Sequence, residues 1–140
     1  MNPGVLIMAK KTILVIEDNE LNMKLVNSLL QIGQYDKLNA TNAESGIQIA
    51  KEQRPDLILM DIQLPGMDGL SATRIIKRDP ALKGIRIVAL TGCAMEEEVE
   101  KIRIAGCDGY LSKPFEIQKF FETLNSFFLN RHEEDRREIS

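Results

Sequence analysis

The stretch DLILMDIQLPGMDGL, Asp56 to Leu70, contains four consecutive apolar residues, Leu57 to Met60, that stop at an acidic one, Asp61. A run that is apolar at every position has no wet face, so it reads as a strand covered on both sides of a sheet. The carboxylate that ends it then sits at the rim of that sheet. On either side of this stretch, comparable runs recur at Thr12 to Ile16, Tyr35 to Ala40, Ile85 to Leu90 and Gly109 to Leu111, and a helix-like segment follows each. Strand–helix alternation implies right-handed crossovers. The expectation is one α/β domain: a doubly wound, five-stranded parallel sheet with helices on both faces.

The helical segments carry their own start and stop signals. The first runs from about Glu20 to Ile32, with Leu21, Leu25, Val26, Leu29 and Leu30 as its apolar stripe, Asn19 as N-cap and Gly33 as terminator. The second covers about Ala43 to Gln53 behind the cap Asn42, and Pro55 closes the gap to the next strand. The third, about Gly69 to Arg78, stops at Asp79-Pro80 because proline disfavours helical geometry in the residue before it. The fourth begins near Met95 and ends at Gly106; Glu96, Glu97 and Glu98 suit its first turn, where carboxylates meet the positive end of the helix dipole. In the fifth, Ile117, Phe120, Phe121, Leu124, Phe127 and Phe128 recur at helical spacing and are expected to pack on the sheet. The domain is therefore drawn at 11–129. Residues 1–10 carry no clear fold signal and read as a leader. Residues 130–140 read as a charged tail, either a frayed helix end or a disordered segment.

Composition excludes several classes. A chain of 140 residues with 44% hydrophobic content suits a single buried core, and a net charge of -3 offers no basic footprint for nucleic acid. The apolar runs fall well short of the ~18 residues of a membrane span, and Met1 to Met8 is too short and uncharged for a secretory signal. The protein is expected in the cytoplasm. Cys93 and Cys107 form no metal or redox motif and read as free thiols.

In an open parallel sheet, functional groups gather beyond the carboxyl ends of the strands, above all where the strand order reverses. Here those ends carry Glu17-Asp18, Asp61, Thr91 and Ser112-Lys113-Pro114. Three carboxylates crowded on one edge repel one another unless a cation lies between them, and hard oxygen ligands suit Mg²⁺. The lysine and the hydroxyl supply what a transferred phosphoryl group needs, and a carboxylate is a recognised nucleophile. No G-x-x-x-x-G-K-[ST] is present, and no G-x-G-x-x-G follows the first strand. The acidic Glu17 to Glu20 would repel the phosphate of a flavin.

Taken together, VIEDNELN (Val15 to Asn22), DLILMDIQLPGMDGL, VALTG (Val88 to Gly92) and YLSKPF (Tyr110 to Phe115) resemble the signature segments of response-regulator receiver domains, with the CheY-like fold. EDNELNMKL and DLILMDIQLP are especially similar to DivK-type single-domain regulators and to receivers of hybrid histidine kinases. The resemblance implies the flavodoxin-like strand order 2-1-3-4-5. It implies Asp61 as phosphoacceptor, and Mg²⁺ held by Asp18, Asp61 and the backbone carbonyl of Gln63, with Glu17 acting largely through water. Lys113 would contact the phosphoryl oxygens, and its bond to Pro114 would be cis. Thr91 and Tyr110 would be the switch pair, altering the face of helix four, strand five and helix five that receivers offer to a downstream protein. A histidine kinase or histidine phosphotransfer protein would be the donor.

Two departures stand out. Glu17 takes a place where many members have Asp, and Gly92-Cys93 follows Thr91 where a small Ala and a more variable residue are usual. Gln63 and Cys93 occupy the positions that tend to set the phosphoryl lifetime in this family. Two other readings compete with a phosphorylation switch that has no external product. One is a constitutive binding module, which intact Asp18, Asp61, Thr91 and Lys113 disfavour. The other is an aspartate-nucleophile phosphatase, whose D-x-D-x-[TV] motif is not matched by Asp61 to Pro65.

Overall fold

The computed structural model describes the backbone of residues 10–139 and the side chains of residues 10–129. The elements alternate strictly: β1 (Thr12–Ile16), α1 (Glu20–Ile32), β2 (Asp36–Ala40), α2 (Ala43–Gln53), β3 (Leu57–Asp61), α3 (Gly69–Arg78), β4 (Arg86–Thr91), α4 (Glu96–Ala105), β5 (Gly109–Ser112) and α5 (Ile117–Ile139). All strand pairs are parallel, in the order β2-β1-β3-β4-β5.

Period-two alternation sorts the core into two layers. On one face Ile13, Val15, Leu57, Leu59, Val88 and Leu90 meet Val26, Leu29 and Leu30 of α1 and Phe120 and Leu124 of α5. On the other, Leu14, Ile16, Ile58, Met60 and Ile87 meet Ala43, Ile47 and Ala50 of α2 and Ala72 and Ile76 of α3. A smaller cluster of Ile62, Ala89 and Ile102 seats α4. β3 is buried at all five positions, as its unbroken apolar run requires. Close approach is served by Gly46, where an added Cβ would lie 2.3 Å from Ile16.

Several sequence expectations shift. Leu21 and Leu25 are exposed, 74% and 43%, and Val26, Leu29 and Leu30 alone form the buried part of the α1 stripe, because the sheet contacts a narrower arc than the apolar residues span. Ile117 is likewise exposed, since α5 reaches the sheet only from Phe120 onward. Gly33 ends α1 at an ordinary φ of -78°, while Gln34 takes the left-handed turn at φ 64°. The glycine is needed for room: an added Cβ would lie 2.9 Å from both Phe121 and Tyr35. β4 and β5 extend one residue further than their apolar runs, through Thr91 and Ser112, which pair with each other. Hydrogen bonding, not hydrophobicity, sets those ends. β2 starts at Asp36, one residue after Tyr35.

The leader lies outside the described residues except for Lys10, as does Met1 to Met8, the stretch excluded as a secretory signal. Of the two readings of the charged segment, the backbone is helical through Ile139. Among the described residues, no helix is long and apolar enough to cross a membrane.

Candidate functional site

The strand order reverses between β1 and β3, so their carboxyl ends flank a crevice. Glu17 follows β1 directly and is fully buried, its backbone N–H held by the Ala40 carbonyl at 3.0 Å. Asp18 next to it is exposed, and Asn19 then caps α1 by accepting from the Asn22 N–H. Asp61, the last residue of β3, is 3% exposed. Carboxylate oxygens of Glu17, Asp18 and Asp61 all lie within 4.8 Å of one another.

The remaining groups arrive from β4 and β5. The Lys113 N–H donates to the Thr91 carbonyl at 2.7 Å, tying the two strand ends together. The peptide bond from Lys113 to Pro114 is cis, as expected. The Lys113 ammonium lies 3.0 Å from Glu17 Oε1 and 3.3 Å from Asp61 Oδ2. The other Asp61 oxygen, Oδ1, accepts from the Gln63 N–H at 2.9 Å. Both Asp61 oxygens are thus engaged, whereas Glu17 Oε2 is buried without a hydrogen-bond partner among the described residues.

One ammonium faces two buried carboxylates and an exposed third. Burial, reinforced by the neighbouring Asp61, pushes the Glu17 carboxyl up to about 7 despite the opposing Lys113. Burial works to lower the Lys113 pKa, but the Glu17 and Asp61 contacts outweigh it and the net shift is upward. An orphaned carboxylate oxygen and a surplus of negative charge are what a hard divalent cation would relieve. Glu17, Asp18 and Asp61 therefore suit a cation of the Mg²⁺ type, and the lysine prepares the same crevice for an anion.

Residues 13–125 match the response regulator receiver domain. The chain belongs to that family. This receiver is 44% identical over 117 residues to the polar-differentiation response regulator DivK of Brucella anthropi, covering 84% of this chain and 95% of that protein. The receiver domain of a Pseudomonas aeruginosa sensor histidine kinase, crystallised with magnesium coordinated in its active-site cleft, matches with a TM-score of 0.77 and 34% identity over 83% of this chain and 95% of that one. A Saccharomyces cerevisiae receiver domain co-crystallised with a histidine phosphotransfer protein figures in a structure that matches with a TM-score of 0.76 and 29% identity, covering 81% of this chain and 86% of that one. The chain is accordingly a receiver domain of the two-component type, with the CheY-like fold.

Of the residues singled out from sequence, Glu17, Asp18, Asp61 and Lys113 converge in this receiver's crevice. Gln63 joins them through its N–H, two residues beyond Asp61. Thr91 is buried, and its hydroxyl donates to the Cys93 carbonyl at 2.8 Å while accepting from the Cys93 N–H at 3.0 Å. Tyr110 is 40% exposed and lines a cavity of about 730 Å³ between β5 and α5, with Leu111, Phe115, Lys119 and Phe127. Cys93 is exposed; Cys107 is half-buried beside Thr73, and burial pushes its thiol pKa up.

Sequence reading missed the groups that position Asp61. An added Cβ at Gly69 would lie 2.2 Å from the Asp61 carbonyl oxygen, so α3 can seat its first turn on the strand end only with glycine there. Asp68 caps that turn, accepting from the Ser71 N–H, and this bond holds its carboxyl below the usual range. The D-G pair at 68–69 was a visible signal for a helix start, but not for the backbone contact behind it.

Proposed function

We propose that this receiver takes a phosphoryl group on Asp61 and switches a protein-binding surface. The observation that carries the reading is Lys113 bridging Asp61 and Glu17 beside an unsatisfied buried carboxylate oxygen. The donor would be a phosphorylated imidazole on a histidine kinase or histidine phosphotransfer protein. An Asp61 carboxylate oxygen attacks phosphorus, the P–N bond breaks, and an acyl phosphate forms as the imidazole leaves. Glu17, Asp18, Asp61 and the backbone carbonyl of Gln63 would hold Mg²⁺, which supplies charge neutralisation at the phosphoryl oxygens when bound. The Lys113 ammonium is already within ion-pair distance of Asp61 Oδ2, where it would meet the incoming oxygens.

Thr91 would then exchange its Cys93 partners for the phosphoryl group, and Tyr110 would turn from its exposed position into the space released. The target-binding face would be that of α4, β5 and α5, where the cavity beside Tyr110 lies. In this reading the domain spans 11–129, acts in the cytoplasm, contacts neither nucleic acid nor membrane, and releases no external product.

The test is intact mass after incubation with acetyl phosphate, with and without Mg²⁺. The wild type gains one phosphoryl group only with Mg²⁺, and Asp61→Asn gains none. A wild type that is labelled neither by acetyl phosphate nor by a competent histidine kinase would be a constitutive binding module instead.

A further inference from the structure

The two edges of the sheet are guarded differently. β2 forms one edge and β5 the other. At β2 the Asp36 N–H bonds the Lys11 carbonyl and the Ala40 carbonyl accepts from the Glu17 N–H, so alternation along the strand turns the main-chain groups of Lys37 and Asn39 away from β1. Both residues are exposed, and Asn39 is tied to Asn27 of α1 by two side-chain amide bonds of 2.9 and 3.0 Å. A lysine on an edge strand discourages another strand from pairing there.

β5 has no such guard. The Lys113 N–H bonds the Thr91 carbonyl and Thr91 pairs with Ser112, so the main-chain groups that face away from β4 are those of Tyr110 and Ser112. None of the four residues of β5 is charged. The cavity of about 730 Å³ runs along this edge, with Lys119, Glu122, Thr123 and Phe127 of α5 in its other wall. A row of N–H and C=O groups facing no further strand is what an extended segment pairs with, whereas a helix has already spent its own main-chain groups. An added strand would lie ~4.8 Å from β5 and point alternate side chains toward α5. There they would meet the half-buried Phe115 and Phe127 and the exposed Glu116, Lys119 and Glu122. Asp108, at the start of the trough, is already paired with Lys77. Two free acids against one base favour an incoming basic residue.

We infer that the free edge of β5 and the facing side of α5 form a strand-addition groove, whose occupant is an extended segment of a partner protein with apolar residues at alternate positions and an Arg or Lys among them. This deepens the target-binding face proposed above, and any dependence on phosphorylation rests on that reading; the open edge itself does not.

The test selects binders of the unphosphorylated full-length chain from a phage-displayed library of random decapeptides and synthesises those enriched. By NMR, bound peptide slows amide exchange at Tyr110 and Ser112 at least roughly tenfold and leaves Lys37 and Asn39 unchanged. N-methylation of the alternate peptide nitrogens that bond β5 weakens binding at least roughly thirtyfold, as the loss of two hydrogen bonds implies, while methylation of the nitrogens between them leaves Kd within about threefold. Ser126→Trp, which fills the trough from the exposed side of α5, weakens binding at least about tenfold, and Glu122→Lys weakens it about threefold. A selection that enriches no peptide, binders that leave the Tyr110 and Ser112 amides at their free rates, or an N-methyl series without alternation would overturn the groove. Acetyl phosphate with Mg²⁺ changes the Kd of the selected peptides at least about fivefold in the wild type and not in Asp61→Asn. A phosphorylated chain that binds them with unaltered Kd removes the groove from the switch. Failure to gain a phosphoryl group tells against the proposed function, while the unphosphorylated measurement still decides the groove.

Discussion

Two lysine–carboxylate pairs stand at opposite rims of the sheet, and both are 3.0 Å long. At the lower rim, Lys77 faces one carboxylate, Asp108, and its remaining hydrogens go to main-chain carbonyls, while Asp108 also holds the Ile87 N–H. Charges and hydrogen bonds there balance. At the upper rim, Lys113 faces Glu17 and Asp61 with Asp18 beside them, and one Glu17 oxygen has no partner among the described residues. The lower pair is complete as it stands and serves architecture. The upper one carries a standing surplus of negative charge, so a cation or an anionic group can change its state. Length alone does not distinguish a structural ion pair from a reactive one; the balance of partners does.

Removing the lysine from each pair is the strongest way to break this contrast. Lys113→Met leaves Glu17 and Asp61 buried without their cation and is expected to cost about 3 kcal/mol in urea unfolding with EDTA present. Asp61→Asn relieves the same repulsion and raises stability under those conditions. Lys77→Met is expected to cost less, about 2 kcal/mol, because both partners are partly solvated and the orphaned Asp108 retains the Ile87 N–H.

The pH dependence sharpens the comparison. The Glu17 pKa is raised from 4.5 to about 7 in the folded state, so between these values the folded protein binds more protons than the unfolded chain. Metal-free stability should therefore fall as pH rises through that window, by on the order of 3 kcal/mol, and urea midpoints at pH 5 and pH 8 in EDTA measure it. Asp61→Asn flattens the slope. Added Mg²⁺ should raise the midpoint more at pH 8, where Glu17 is ionised and available to it, than at pH 5. A midpoint insensitive to pH in the metal-free wild type would remove the surplus-charge account of the upper rim.

The smallest expected effects concern the helix starts. Asn42→Ala removes the side-chain bond to the Ser45 N–H and should cost about 1 kcal/mol. At the uncapped start of α4, Met95→Ser should instead gain roughly 0.5 kcal/mol. Thermal unfolding of both variants checks the pair, and an equal loss in each would mean that the upper end of α4 is anchored by other means.

Much of this was readable beforehand, for a physical reason that differs by element. Asn19 and Asn42 were legible as caps because capping is local, a side chain reaching a backbone N–H three residues on. β3 was legible because burial on both faces leaves no position for a polar residue before Asp61. Leu21, Leu25 and Ile117 misled because periodicity reports which residues share a helix face and not how much of that face the sheet covers. The roles of Gly69 and Gly33 were hidden because glycine signals freedom or room alike, and only the neighbour that fills the space tells which.

The chain alone determined the order of strands and helices and placed the acidic, hydroxyl and amine groups at strand ends, since period-two burial and local turn chemistry are written residue by residue. Tertiary structure decided the balance among those groups. That Lys113 is shared by Glu17 and Asp61 across 96 and 52 residues of sequence, that one buried Glu17 oxygen lacks a partner among the described residues, and that Lys77 meets Asp108 at the lower rim all depend on which strand lies beside which. Electrostatic energy depends on separation in space, and sequence separation carries no information about it until the fold is closed.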